Sequence, residues 1–143
     1  MPSSPNTILE TILVVDDNEA VLRMVSIVLR GANFRVLSAE NGSNAIRLAS
    51  ATKERIDLLL SDIDMPLMTG PQLGEELKKS RPDLKVMLMS AGIDGNLLVL
   101  NYGWAYIQKP FVAVKLVAMV NSVLHSPDET QDSNAFDKRK DTR

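Results

Sequence analysis

Cysteine is absent from this chain, and histidine occurs once, at position 125. Without thiols there is neither a disulfide framework nor a thiolate metal centre. A single imidazole leaves too few ligands for a zinc site and argues against a Ser-His hydrolase. Neither sign of charge dominates: 16 Lys and Arg face 18 Asp and Glu, for a net charge of -2. That balance removes the electrostatic footing on which nucleic-acid binding rests. No apolar run reaches the length needed to cross a bilayer, and Met1-Pro2-Ser3-Ser4-Pro5-Asn6 lacks the character of a signal peptide. The expectation is a cytoplasmic chain with no membrane insertion and no direct nucleic-acid partner.

What remains is enough for one folded domain. The 143 residues are 45% hydrophobic and 24% charged, and a domain of this size buries roughly two-thirds of its unfolded surface. Residues 1–6 and 126–143 are too polar to repay the entropy of ordering, so both are expected to be flexible tails around a domain at 7–125. Five short runs read as buried strands: Thr11 to Val15, Phe34 to Ser38, Asp57 to Ser61, Lys85 to Met89 and Ala105 to Gln108. The first, third and fourth are nearly continuous hydrophobes, as strands covered on both faces must be. Helical stripes lie between them, at Val21 to Leu29 ending in Gly31, around Ala45 to Ala49, after Pro71, and from Val114 to Leu124. Leu97 to Gly103 leaves room for a short fourth helix. Strand and helix in alternation predict an α/β fold, a parallel sheet sandwiched by helices. Ligands of such sheets sit beyond the carboxyl ends of the strands.

Polar side chains gather at those ends. Asp16-Asp17 follows the first strand, Asp62 the third, Ser90 the fourth and Lys109-Pro110 the fifth. Two carboxylates about 4 Å apart repel by about 4 kcal/mol at an effective dielectric near 20, so three together call for a cation. An oxygen-only donor set selects a hard ion, Mg²⁺ before Zn²⁺, and Mg²⁺ favours sharing its shell with a phosphoryl oxygen. Lys109 and Ser90 can hold further phosphoryl oxygens. A carboxylate can itself become an aspartyl-phosphate, and Asp62 is the candidate nucleophile, standing between the acidic pair and the Ser/Lys side.

These segments carry a specific resemblance. Ile12-Leu13-Val14-Val15-Asp16-Asp17, Asp62-Ile63-Asp64-Met65-Pro66-Leu67-Met68-Thr69-Gly70, Met89-Ser90-Ala91 and Lys109-Pro110-Phe111, in that order, resemble the receiver domain of two-component response regulators across about residues 11–124. The style of strand four resembles receivers attached to hybrid sensor kinases. The resemblance implies a flavodoxin-like, doubly wound five-stranded sheet in the order 2-1-3-4-5 with five helices. It implies that Asp62 accepts a phosphoryl group from a histidine kinase or a histidine phosphotransfer domain, for an output protein or attached domain the sequence does not name. Asp16 and Asp17 match the Mg²⁺-binding pair, with Asp17 the direct ligand, joined by Asp62 and the backbone carbonyl of Asp64. Ser90 and Lys109 match the phosphoryl contacts, and Tyr106 the switch aromatic that swings inward when the hydroxyl moves. Lys109-Pro110 matches a peptide bond that is cis in the family.

Such a chain would be a signalling phospho-acceptor that catalyses only its own phosphorylation and dephosphorylation, as a monomer or weak homodimer. Two other readings compete. Asp62-Ile63-Asp64 also resembles the Asp-x-Asp of haloacid-dehalogenase-type phosphatases, but that motif normally follows the first strand and the chain lacks room for a cap domain. A pseudo-receiver that binds without phosphorylation conflicts with the complete acidic set. Nineteen positions separate Ser90 from Lys109, a few fewer than is usual in the family. The last helix, starting near Phe111-Val112-Ala113, has no polar cap. His125 reads as solvated at a helix end, and Asn41-Gly42-Ser43, an N-glycosylation pattern, as a turn.

Overall fold

A computed structural model describes residues 8–92 and 102–126. The predicted fourth helix at 97–103, the terminal tails and Leu97 to Leu100 within that helix fall wholly or largely outside the described residues. The chain runs β1 (Thr11–Val15), α1 (Glu19–Gly31), β2 (Arg35–Ala39), α2 (Gly42–Ala51), β3 (Leu58–Asp62), α3 (Gly70–Ser80), β4 (Lys85–Ser90), β5 (Ala105–Gln108) and α4 (Ala113–His125). The five strands form one sheet in the order β2-β1-β3-β4-β5, and every pairing is parallel.

Alternation along the central strands divides the core in two. Ile12, Val14, Leu58, Leu60, Met87 and Met89 face one layer, with Val25 and Leu29 of α1 and Leu116 and Val120 of α4. Leu13, Val15, Leu59, Val86 and Leu88 face the other, with Ala45 and Ala49 of α2 and Leu73 and Leu77 of α3. Burying a Leu or Met of this kind contributes about 1.5–3 kcal/mol. The methionines Met65, Met87 and Met89 are buried and Met68 packs against the core, as gap-filling residues should.

Helix starts follow local chemistry. The Asn18 side chain caps α1 by accepting from Val21 N at 3.1 Å. Thr69 and Gln72 form a reciprocal capping box on α3. Asn41, read as part of a turn, is the cap of α2, accepting from Asn44 N at 2.7 Å; its Asn-x-x spacing satisfies an orphan helix donor. The first turn of α4 has no side-chain cap, as its sequence predicts.

Two cations close the far ends. Arg81 donates to the carbonyls of Ala49, Thr52 and Glu54 below α2. Lys85 donates to Val123 and Leu124 at the end of α4, where positive charge complements the helix dipole. His125 is half exposed but is not merely solvated: its Nε2 lies 2.7 Å from Glu10 Oε1. Strands β2 and β3 begin and end one residue later than the apolar runs suggest. Asp57 lies just before β3, its side chain accepting from Thr11 N at 2.8 Å and its backbone still bonded to Thr11 and Lys85, and Asp62 enters the strand, paired with Met89 of β4.

Candidate functional site

The parallel sheet brings the carboxyl ends of β1, β3, β4 and β5 to one edge, and the polar residues predicted there meet. Asp16, the residue after β1, is fully buried, and its backbone N–H donates to Ala39 O at 3.3 Å. Both of its carboxylate oxygens are held. Oδ1 accepts from Asn18 N at 2.8 Å, and Oδ2 accepts from the Lys109 ammonium at 2.9 Å. Asp62, the last residue of β3, is buried and accepts from the same ammonium through Oδ1 at 3.2 Å. One lysine thus bridges two acids that lie 93 and 47 residues away in sequence.

Asp17 is exposed at the mouth, and a carboxylate oxygen from each of Asp16, Asp17 and Asp62 lies within 4.8 Å of the others. Asp64 is exposed and its carboxylate is not one of the three. Ser90 ends β4 on the same edge. Its carbonyl accepts from Lys109 N at 2.7 Å, which places the start of the Lys109 loop, and the Lys109-Pro110 peptide is cis. Its hydroxyl donates to Gly92 O at 2.9 Å and accepts from Gly92 N at 3.2 Å. That hydroxyl has to leave Gly92 before it can contact a phosphoryl oxygen. Tyr106, in β5, is half buried and packs on the α2/α3 side of the core.

Charge in this cluster is out of balance, three carboxylates around one ammonium. Burial raises the Asp62 carboxyl above the usual carboxylate range, and repulsion from Asp16 adds to it, more than Lys109 lowers it. Burial alone would depress Lys109, but its hydrogen bond and attraction to Asp16, then those to Asp62, outweigh this and raise it. An all-oxygen donor set with an excess of about two negative charges suits a hard divalent cation. The residues therefore fit Mg²⁺.

Two supports escaped the sequence reading. Asn18 holds Asp16 in an Asx turn, a pattern legible from an Asp two residues before a helix-capping Asn. Gly70 is the other: its N–H donates to Ile63 O at 2.9 Å, and its Cα faces the Asp62 carbonyl so closely that a Cβ would collide with it. Only the folded loop shows that need.

The response regulator receiver domain family matches residues 12–121. The transcriptional regulatory protein PrrA of Mycobacterium tuberculosis is 35% identical over 127 residues, covering 87% of this chain and 54% of PrrA. The sensor kinase CckA of Brucella abortus is 30% identical over 122 residues, 82% of this chain and 13% of CckA. The chain thus spans about half or less of the curated relatives it matches. Among solved structures, the response regulator TrrA of Thermotoga maritima, in complex with Mg²⁺-BeF, superposes with a TM-score of 0.71 at 27% identity, covering 81% of this chain and all of that one (100%).

Proposed function

The chain belongs to the response regulator receiver domain family, and on that footing we propose that Asp62 is its phospho-acceptor, loaded from the phosphohistidine of a sensor histidine kinase or histidine phosphotransfer domain. The observation that carries this reading is the Lys109 ammonium bridging Asp16 and Asp62 beside Asp17 at the carboxyl edge of the sheet.

The chemistry follows from the positions. A carboxylate oxygen of Asp62 attacks phosphorus in line; the new O–P bond forms as the N–P bond to the donor imidazole breaks, and the freed nitrogen carries off the electron pair. Lys109 turns from Asp62 to an oxygen of the transferred group and offsets its developing charge. Asp16, Asp17 and Asp62, with the Asp64 carbonyl, would hold the divalent ion, Asp17 as the direct ligand of the pair, and Asp16 also orients Lys109. Mg²⁺, when bound, supplies neutralisation of the phosphoryl oxygens.

Phosphorylation leaves about -1.5 to -2 charge on the Asp62 side chain, where the carboxylate carried -1, and carries it farther out on three phosphoryl oxygens. The Ser90 hydroxyl then exchanges Gly92 for the phosphoryl group, and Tyr106 follows it inward, altering the surface around β5. An attached or separate output partner reads that change. The protein turns over nothing but its own phosphoryl group, and it works in the cytoplasm.

Mass spectrometry after treatment with acetyl phosphate and Mg²⁺ tests the assignment. One phosphoryl group is expected on the native chain and none on Asp62→Asn. Steady hydrolysis of a phosphomonoester would point instead to a phosphatase. Failure to bind Mg²⁺ with a phosphate mimic would leave a pseudo-receiver.

A further inference from the structure

Helices α1 and α4 each carry more apolar surface than the core takes up. On α1, Val25 and Leu29 are fully buried against the sheet, while Met24, Ile27, Val28 and Gly31 form a second stripe at i, i+3, i+4 and i+7 on the outer side. On α4, Leu116 and Val120 are buried, yet Val114 is exposed, and the only charged side chain from Ala113 to Leu124 is that of Lys115. A helix packed on one side needs one apolar stripe. The second is left facing outward. Met24, Ile27 and Val114 are 39%, 61% and 80% exposed, together on the order of 300 Å² of apolar surface, the scale of the largest patch on an ordinary monomer.

The two stripes make one continuous face. A hollow along Ala20, Met24 and Ile27 of α1 adjoins, through Val28, a shallow notch of about 450 Å³ where Gly31 and Ala32 meet Ala113, Val117 and Ala118 of α4. The face thus holds both projections, at Ile27 and Val114, and a recess walled by small residues. Among the residues lining hollow and notch, the charged ones are Glu19 and Arg23, of opposite sign, one helical turn apart and 4.0 Å from each other. Across a two-fold axis that pair meets its own complement, and no net charge selects a strongly acidic or basic partner. We propose that this face of α1 and α4 joins two copies of the chain in an isologous dimer. A charge-poor, apolar centre is the composition of homodimer interfaces. Tyr106 packs with α2 and α3 on the opposite face of the sheet, so this association is independent of the phosphorylation state of Asp62.

Sedimentation velocity of the full chain over a concentration series tests the face. The native chain is expected to dimerise with a Kd on the order of 10 µM, the weak end for a specific interface. Ile27→Lys and Val114→Glu each place a charge in the centre of the contact at a position already open to solvent, and the acid suits the first turn of α4. Each is expected to melt as the native chain does and to weaken the dimer at least about tenfold. Ile27→Leu should stay within about threefold of native, as volume-conserving apolar swaps do. Mg²⁺ with a phosphate mimic should leave the native Kd unchanged. A native chain that remains monomeric to about 1 mM, a hundredfold above that Kd, would overturn the proposal. A dimer that survives both charged substitutions would do the same. A dimer seen only with the phosphate mimic would overturn it too, moving the contact to the surface that Tyr106 alters. So would a monomeric native chain whose phosphorylation by a phosphorylated histidine phosphotransfer domain slows in Ile27→Lys, which would assign the face to the phosphoryl donor.

Discussion

Asp62→Asn should make the metal-free protein more stable while abolishing its phosphorylation. At an effective dielectric near 20, the Lys109 ammonium 3.2 Å from Oδ1 favours the ionised carboxylate by about 5 kcal/mol. Asp16, with an oxygen within 4.8 Å, opposes it by about 3.5 kcal/mol. Burial, the largest influence on this carboxyl, and the exposed Asp17 also oppose it. The opposing influences prevail, leaving the ionised carboxylate destabilising in the folded state at neutral pH. The asparagine amide keeps an acceptor for Lys109 without the charge, so the variant should melt higher than the native chain in metal-free buffer at pH 7.

Because the folded carboxyl titrates above its unfolded value, the stability contributed by protonating it is fully present below about pH 4 and lost as pH rises through the raised folded value. The advantage of the variant should therefore shrink toward zero as pH falls to 4. Mg²⁺ should act the other way: at about ten times Kd it adds about 1.4 kcal/mol to the native chain and much less to a variant lacking one ligand. Thermal unfolding with and without Mg²⁺, at pH 7 and pH 4, reads all three effects. A variant less stable than native in metal-free buffer at pH 7, or stabilised equally by Mg²⁺, would refute the charge-imbalance argument.

Lys109→Met should cost about 2–4 kcal/mol in urea unfolding at pH 7, since it strands Asp16 and Asp62 in a buried site. Lys109 itself is raised, so its contribution is full below about pH 10.4 and lost as pH climbs through the higher folded value; that alkaline limb should vanish in the variant. Acetyl phosphate labelling of Lys109→Met should fall at least about tenfold, one missing charge-stabilising donor. Gly70→Ala should destabilise by about 2–3 kcal/mol, because the new Cβ meets the Asp62 carbonyl. A loss under about 0.5 kcal/mol, the size of an ordinary surface substitution, would show that no close approach exists there.

Much of this protein was legible in its sequence, for a physical reason. Side-chain period and hydrophobic run length are local properties of chain geometry, so the apolar runs from Thr11 and from Leu58 announced central strands, and the stripe through Val25 and Leu29 announced a buried helix face. Alternation of strand and helix then left a parallel sheet, whose carboxyl edge must gather whatever follows each strand. Asp16, Asp17, Asp62, Ser90 and Lys109 were named on that ground, and the fold brings them to one edge.

Other properties belong to through-space distances and exclusion of water. Strand pairing, not composition, brought Asp62 into β3 opposite Met89. The raised Asp62 carboxyl and the two-armed bridge from Lys109 arise from burial among groups far apart in the chain. Sequence alone determined which groups reach the edge of the sheet; tertiary packing decided their orientation and charge, because energies of buried ions depend on distance and on the water removed around them.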